Sequence, residues 1–229
     1  MSVTLLNIDC MEYMAGLPDK AFDLAIVDVP YGINIASQGK IGNCSPFGNK
    51  KSFGEKNTRN RIIPSKDYGK KSWDRETPGQ DYFNELFRVS INQIIWGANH
   101  IGHMAPSSCW IVWDKENSGN YAEAELAYTS FKTVVRVFKF RWNGMLQGDM
   151  KNKEHRIHPT QKPVALYKWL IQNYAKQGDK ILDTHLGSGS SAIAAEHMGF
   201  DFVGCELDKD YYTAACKRFK EQTAQIKIF

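Results

Sequence analysis

Apolar residues along this chain fall into two rhythms. Val3-Thr4-Leu5-Leu6-Asn7-Ile8, Phe22-Asp23-Leu24-Ala25-Ile26-Val27, Gln93 to Trp96, Cys109-Trp110-Ile111-Val112-Trp113, Lys180-Ile181-Leu182-Asp183 and Phe202-Val203-Gly204-Cys205 are short and largely apolar. Such runs predict strands, and a nearly continuous one, as at 22–27, predicts a strand covered on both faces. Thr133 to Phe140 alternates instead, which predicts a strand near a sheet edge. Helical spacing fills the intervals at Met11 to Leu17, Asp81 to Ser90, Tyr121 to Thr129, Val164 to Ala175 and Ser190 to Met198. A last amphipathic helix carries Tyr211, Ala214, Ala215, Arg218 and Phe219. Pro163 stands at a favoured helix start, and Gly199 ends the helix before it. Strands alternating with helices predict an α/β protein, one domain over residues 1–229, with a mostly parallel sheet and right-handed crossovers.

One stretch organises the rest. Strand 180–183 runs into Thr184-His185-Leu186-Gly187-Ser188-Gly189-Ser190, then a helix, then a strand that ends in Glu206. A glycine turn between strand and helix lets a ligand approach the backbone and meet unpaired helix N–H groups. An acid at the next strand end can accept hydrogen bonds from both hydroxyls of a ribose. The pattern G-x-G-x-x-A fits a dinucleotide fingerprint equally well, and a plain connecting turn too. A dinucleotide site needs several more strands after it, and only one helix follows Glu206. The remaining strands therefore come from upstream, which permutes the motif order.

Composition narrows the class. The 229 residues, 42% hydrophobic and 24% charged, describe a globular chain large enough for a substantial core. No apolar run reaches membrane-spanning length and Met1 to Asp9 lacks a signal-peptide layout, so a cytoplasmic protein without membrane contact is expected. Cysteines 10, 44, 109, 205 and 216 form no C-x-x-C pair, which predicts reduced thiols and no metal site.

The net charge of +4 is unevenly placed: residues 40–71 hold nine basic residues against two acidic ones, a net +7. That stretch is rich in Gly, Asn and Ser, with Phe47, Phe53 and Tyr68 among the charges. A charge run is often only a solvated loop. Because this one follows Asp28-Val29-Pro30-Tyr31 at a strand end, residues 32–73 are read as an insertion whose Lys50, Lys51, Arg59 and Arg61 contact DNA phosphates. Residues 141–157, irregular and polar, are a candidate target-recognition segment.

Three signatures occur together. Asp28-Val29-Pro30-Tyr31 resembles the D-P-P-Y tetrapeptide of amino-group DNA methyltransferases, Asp183 to Ser190 resembles their D-P-F-x-G-S-G-T motif, and His158-Pro159-Thr160-Gln161-Lys162-Pro163 resembles their H-P-T-x-K-P block. The order, tetrapeptide first and glycine motif last, is that of the permuted beta group. The resemblance implies a Rossmann-like S-adenosylmethionine-dependent methyltransferase fold, a mostly parallel seven-stranded sheet with one antiparallel strand. It also implies methyl transfer from S-adenosylmethionine to an amine of a base flipped out of double-stranded DNA, often within a restriction-modification system. Homodimers occur in the group. Val29 stands where the family has proline, and Thr184-His185 where it has Pro-Phe.

Roles carried over by resemblance follow the motifs. Asp28 and the Val29 carbonyl would grip the target amine, Pro30 would fix the turn and Tyr31 would stack on the base. For the cofactor, Asp9 would bind the adenine amine beside Cys10. Asp28, Asp183, Gly187, Ser188, Gly189 and Ser190 would meet the methionine part, and Glu206 with Leu207 the ribose. His158 and Thr160 would line the pocket, with Lys162 at the methionine carboxylate. Blander readings exist: Asp28 as a turn cap, His158 as a satisfied core histidine, Lys162 as a surface charge. Trp96, Trp110 and Trp113 read as core. Adenine N6 is the expected target, since Asp heads the tetrapeptide; cytosine-N4 transfer, a dinucleotide oxidoreductase and a catalytically dead DNA-binding relative are the rival functions.

Overall fold

The computed structural model describes residues 1–38, 40–41, 66–102, 104–117, 122–143 and 146–224. Lys50, Lys51, Arg59 and Arg61 lie outside the described residues. Among the described residues, eight strands make the main sheet: β1 Val3–Leu6, β2 Phe22–Asp28, β3 Ser90–Trp96, β4 Trp110–Asp114, β5 Ala124–Thr129, β6 Arg136–Lys139, β7 Lys180–Asp183 and β8 Asp201–Cys205. Their order across the sheet is β1-β8-β7-β2-β3-β5-β4-β6. Every neighbouring pair is parallel except the two that β5 makes, with β3 and with β4.

β5 is the eighth strand beside the seven expected, and it replaces the helix expected at residues 121–129. Alanine and glutamate favour a helix there locally. The tertiary setting overrides them: Ala127, Tyr128 and Thr129 are buried, with ladders to β3 on one side and β4 on the other. At the sheet edge the alternation of 133–140 holds, Phe138 and Phe140 packing inward while Val135 and Val137 stay exposed.

Among the described residues, five α-helices cover the sheet: α1 Cys10–Ala15, α2 Gln80–Val89, α3 Val164–Tyr174, α4 Ser190–Met198 and α5 Lys209–Thr223. The period of two along the central strands sorts the core into two layers. Ala25, Val27, Ile95 and Leu182 pack with Met14 of α1 and Tyr82, Phe83, Leu86 and Val89 of α2. Leu24, Ile26, Ile94, Trp96 and Ile181 pack with Leu166 and Leu170 of α3, Ala192 to Ala195 of α4 and Ala215 of α5. Each fully buried Val, Leu, Ile, Phe or Met side chain among them contributes about 1.5–3 kcal/mol, so stability resides in the strand centres and the strand ends are free to carry polar groups. Trp96 and Trp113 are buried edge to face at 6.4 Å, and Trp110 meets Tyr128 in the same way at 5.9 Å.

Register fixes where those ends fall. Leu6 pairs Cys205, Asp183 pairs Gly204, and Asp28 pairs Trp96, so the carboxyl ends of β1, β8, β7, β2 and β3 share one edge. From β7 the chain crosses through α4 on one face, and from β2 through α2 on the other. These two strands are neighbours, so a crevice opens between them at the switch of direction. No described helix is long and apolar enough to cross a membrane.

Candidate active site

A cavity of about 750 Å³ occupies that crevice. Asp9, Cys10, Asp28, Val29, Pro30, Tyr31, His158, Thr160, Lys162, Gly187, Ser188, Glu206 and Leu207, all singled out from sequence, line it. Asp183, Gly189 and Ser190 do not line it. Asp183 spends its oxygens on the His185 N–H at 3.0 Å and the Ser191 hydroxyl at 2.6 Å, while Ser190 Oγ donates to the Lys162 carbonyl. These residues brace the glycine turn from behind. Gly189 begins α4 with φ of 74°, and a Cβ there would sit 3.4 Å from Ala215 of α5.

The tetrapeptide end of the cavity is charged. Asp28 Oδ1 accepts from Lys162 Nζ at 2.5 Å and from the Tyr31 hydroxyl at 2.8 Å, whereas no described group donates to Oδ2. Lys162 Nζ also reaches Glu125 Oε2 at 3.0 Å and the Tyr31 oxygen at 3.0 Å. An ammonium has three donors, and all three are engaged, so Lys162 has none left for the cofactor carboxylate expected of it. Nor is it a surface charge, its side chain being 2% exposed. Glu125 in turn pairs with Lys115 through its other oxygen.

The charges shape each other's titration. Burial pushes the Asp28 carboxyl above its ordinary range, against the pull of Lys162. Burial acts against the Lys162 ammonium, but the carboxylates of Asp28 and Glu125 outweigh it and hold the group protonated. Burial also opposes ionisation of Glu125, yet Lys162 and Lys115 bring it down to about 2.

The loop after Asp28 is held by a residue that local sequence did not reveal. Asp74, 1% exposed, accepts the backbone N–H groups of Tyr31 at 2.8 Å, Gly32 at 3.1 Å and Ile35 at 2.9 Å. The Tyr31 ring stacks on His100 at 5.1 Å. It passes so close to Gly97 (φ 73°) that a Cβ there would lie 2.0 Å from Tyr31 Cε1. Trp96-Gly97 is therefore a seat for Tyr31.

The other end of the cavity presents hydrogen-bond acceptors. Glu206 follows β8 and accepts the Gly187 N–H at 2.8 Å and the Asp208 N–H at 2.9 Å, one on each oxygen. Each oxygen keeps a further lone pair. Asp9 caps α1 through Oδ1, which accepts the Met11 N–H at 2.7 Å, and still lines the cavity. Burial drives the Cys10 thiol up to about 12, so it serves as wall rather than nucleophile. His158, lowered to about 3 by burial, is neutral, its ring against Tyr211 at 4.3 Å and Trp73 at 5.2 Å. Lys71 ties the chain beside Trp73 to Asp208 and Asp210 at the start of α5, at 2.8 and 2.6 Å.

Part of the 141–157 segment is structural. Trp142 is buried and donates to the Gln161 carbonyl at 2.8 Å. Glu154 pairs with Arg218 of α5 at 2.5 Å, and Arg218 donates to the Ser188 carbonyl at 2.8 Å. No group of His, Cys, Asp and Glu among the described residues has the arrangement to hold a metal ion.

Comparison with known proteins finds similarity across most of the chain. A family model for N6/N4 DNA methylases matches residues 105–217. The chain is 26% identical over 246 aligned positions to the type II methyltransferase M2.DpnII of Streptococcus pneumoniae, covering 95% of this chain and 90% of that protein. Among solved structures it is similar to the complex of M1.HpyAVI with SAM, with TM-score 0.53, 18% identity and coverage of 95% and 100%. It is also similar to the cytosine-N4-specific PvuII DNA methyltransferase, with TM-score 0.55, 11% identity and coverage of 99% and 93%.

Proposed function

We propose that this chain, which belongs to the N6/N4 DNA methylase family, methylates the N6 amine of an adenine turned out of duplex DNA. The methyl donor is S-adenosylmethionine, which when bound supplies an electrophilic methyl group carried on a sulfonium. The residues present suit that donor: Glu206 offers acceptors for two ribose hydroxyls, Asp9 one for an adenine amine, and the Gly187-Ser188 backbone lines the rest of the cavity. His158 and Thr160 complete the wall.

One observation carries the reading. Asp28 Oδ1 is filled by Lys162 and Tyr31, so the free Oδ2 is left for an incoming N–H. An exocyclic amine is a poor nucleophile because its lone pair is delocalised into the ring. Asp28 Oδ2 and the Val29 carbonyl, each taking one N–H, draw the nitrogen towards tetrahedral geometry and localise the pair. As the S–CH₃ bond broke, leaving a neutral thioether, and the N–CH₃ bond formed, the proton shed by nitrogen would pass to Asp28, whose raised affinity for protons suits that task. Pro30 sets the turn and Tyr31 presents a ring to the base. Asp rather than Ser at the head of the tetrapeptide favours adenine.

DNA contact is assigned to the basic stretch at residues 40–71, with Lys50, Lys51, Arg59 and Arg61 meeting phosphates. Within 141–157, with Trp142 and Gln147 buried, recognition falls to exposed positions such as Leu146 and Met150. The test is methylation of mixed-sequence duplex DNA, digestion to nucleosides and mass spectrometry. N6-methyladenine is expected. N4-methylcytosine as the main product would move the assignment to the other base, and absence of any methylated amine would overturn it.

A further inference from the structure

We propose that Glu125 is a positioning residue for methyl transfer, holding the Lys162 ammonium between two carboxylates so that Lys162 orients Asp28 without neutralising it. The inference rests on the reading of Asp28 as acceptor of the target amine. Glu125 does not line the cavity, although its Oε2 also accepts from the Tyr31 hydroxyl at 3.4 Å. It acts through Lys162, at 3.0 Å, which reaches Asp28 at 2.5 Å.

Consider the pair without it. A buried ammonium facing one carboxylate would give that carboxylate its whole charge, and Asp28 would become a weak acceptor. Glu125 takes a share of that charge. Lys115, paired with the far oxygen of Glu125, brings the set to two positive and two negative charges and pays for the burial of Glu125. Direction follows too: with Lys162 and Tyr31 both on Oδ1, the carboxylate plane is fixed and Oδ2 is the oxygen left over. Trp96 and Tyr31 hold the ammonium from the sides, their ring centroids each 5.4 Å away. The other groups that bear on these charges are the Tyr167 hydroxyl from α3, Asp183 at the end of β7 and neutral His158.

The antiparallel direction of β5 is what makes the arrangement available. Parallel strands bring their ends to the catalytic edge, and an antiparallel one brings its beginning. Glu125 is the second residue of β5, opposite Trp113 of β4 and beyond the β3 pairing at Trp96–Ala127.

The experiment compares wild type, Glu125→Gln and Glu125→Asp, measuring the single-turnover transfer rate at saturating DNA and S-adenosylmethionine, its pH profile, and cofactor affinity by calorimetry. Glu125→Gln should slow transfer on the order of tenfold to a hundredfold, the worth of one charged hydrogen bond. Cofactor affinity should stay within about threefold. Its acidic limb should move to lower pH, because the surroundings of Asp28 gain one positive charge. Glu125→Asp should restore part of the rate. An unchanged rate or limb in Glu125→Gln, or a loss of cofactor affinity matching the loss of rate, overturns the proposal while leaving an active wild type to support the function. A wild type inert on every duplex sinks the functional reading and this inference with it.

Discussion

Asp183 and Asp28 end neighbouring strands, yet only one has a cation beside it. Burial raises Asp28, and the Lys162 ammonium opposes that rise. Asp183 has only neutral donors, and burial raises it to about 7 from an ordinary 3.8. The folded state therefore binds a proton at Asp183 more tightly than the unfolded chain. The stability this gives is full below the unfolded value and is lost as pH rises through about 7. Glu125 runs the other way, depressed to about 2, so its contribution is present above its ordinary 4.5 and is lost only as pH falls towards 2. Urea unfolding across pH 4 to 8 should show wild type losing stability relative to an Asp183→Asn variant as pH rises, and parallel curves would refute the assignment. The motif groups Asp183 with Gly187 and Ser188, which line the cavity, while Asp183 itself does not. A motif shows which residues travel together and not which way each side chain points. Lys162 shows the same limit: it lines the cavity as the motif implies, but its ammonium meets Asp28, a partner 134 positions away that no local pattern reveals. Asp74 had no local signal, since accepting three backbone amides leaves no pattern in neighbouring residues.

Whole strands and helices were easier to read, because burial on a sheet or helix face writes a period into the chain. β2, β7, β8, α2 and α4 lie within a few residues of their expected places for that reason. β5 was not legible: residues 124–129 pack by ladders on both sides, which overrides a local preference for helix. Losing β5 also hid Glu125. The turn after β3 gives an element-scale test. Gly97 has φ of 73° and leaves no room for a Cβ under Tyr31, while its N–H donates to the Leu126 carbonyl of β5 at 3.0 Å. Gly97→Ala should cost about 1–3 kcal/mol from backbone strain and crowding. It should also displace the Tyr31 ring, so transfer falls further than cofactor affinity. Denaturant midpoints with paired rate and binding measurements check this; equal losses in both would mean that Tyr31 stays in place.

At the scale of the molecule, the Glu206 end of the cavity offers a test between nucleoside chemistries that the glycine turn alone leaves open. S-adenosylmethionine at a hundred times its Kd should stabilise the fold by roughly 2.7 kcal/mol, visible as a rise in Tm. NADH should give no shift, and Glu206→Ala should shrink the S-adenosylmethionine shift by removing the ribose acceptor. A rise with NADH instead would return the dinucleotide reading. The same end of the cavity has a history in time. β1 sits at the sheet margin with β8 as its neighbour, and the Asn7 amide donates to the Glu206 carbonyl across a separation of 199 residues. At synthesis rates of about 5–20 residues per second, β1 leaves the ribosome roughly 10–40 s before its partner exists. Asp9 and Glu206 meet only when that wait ends. If Asp9 and Glu206 hold the methyl donor as proposed, a nascent chain is blind to it until Glu206 has been made, and ligand occupancy reports that translation has run past that residue.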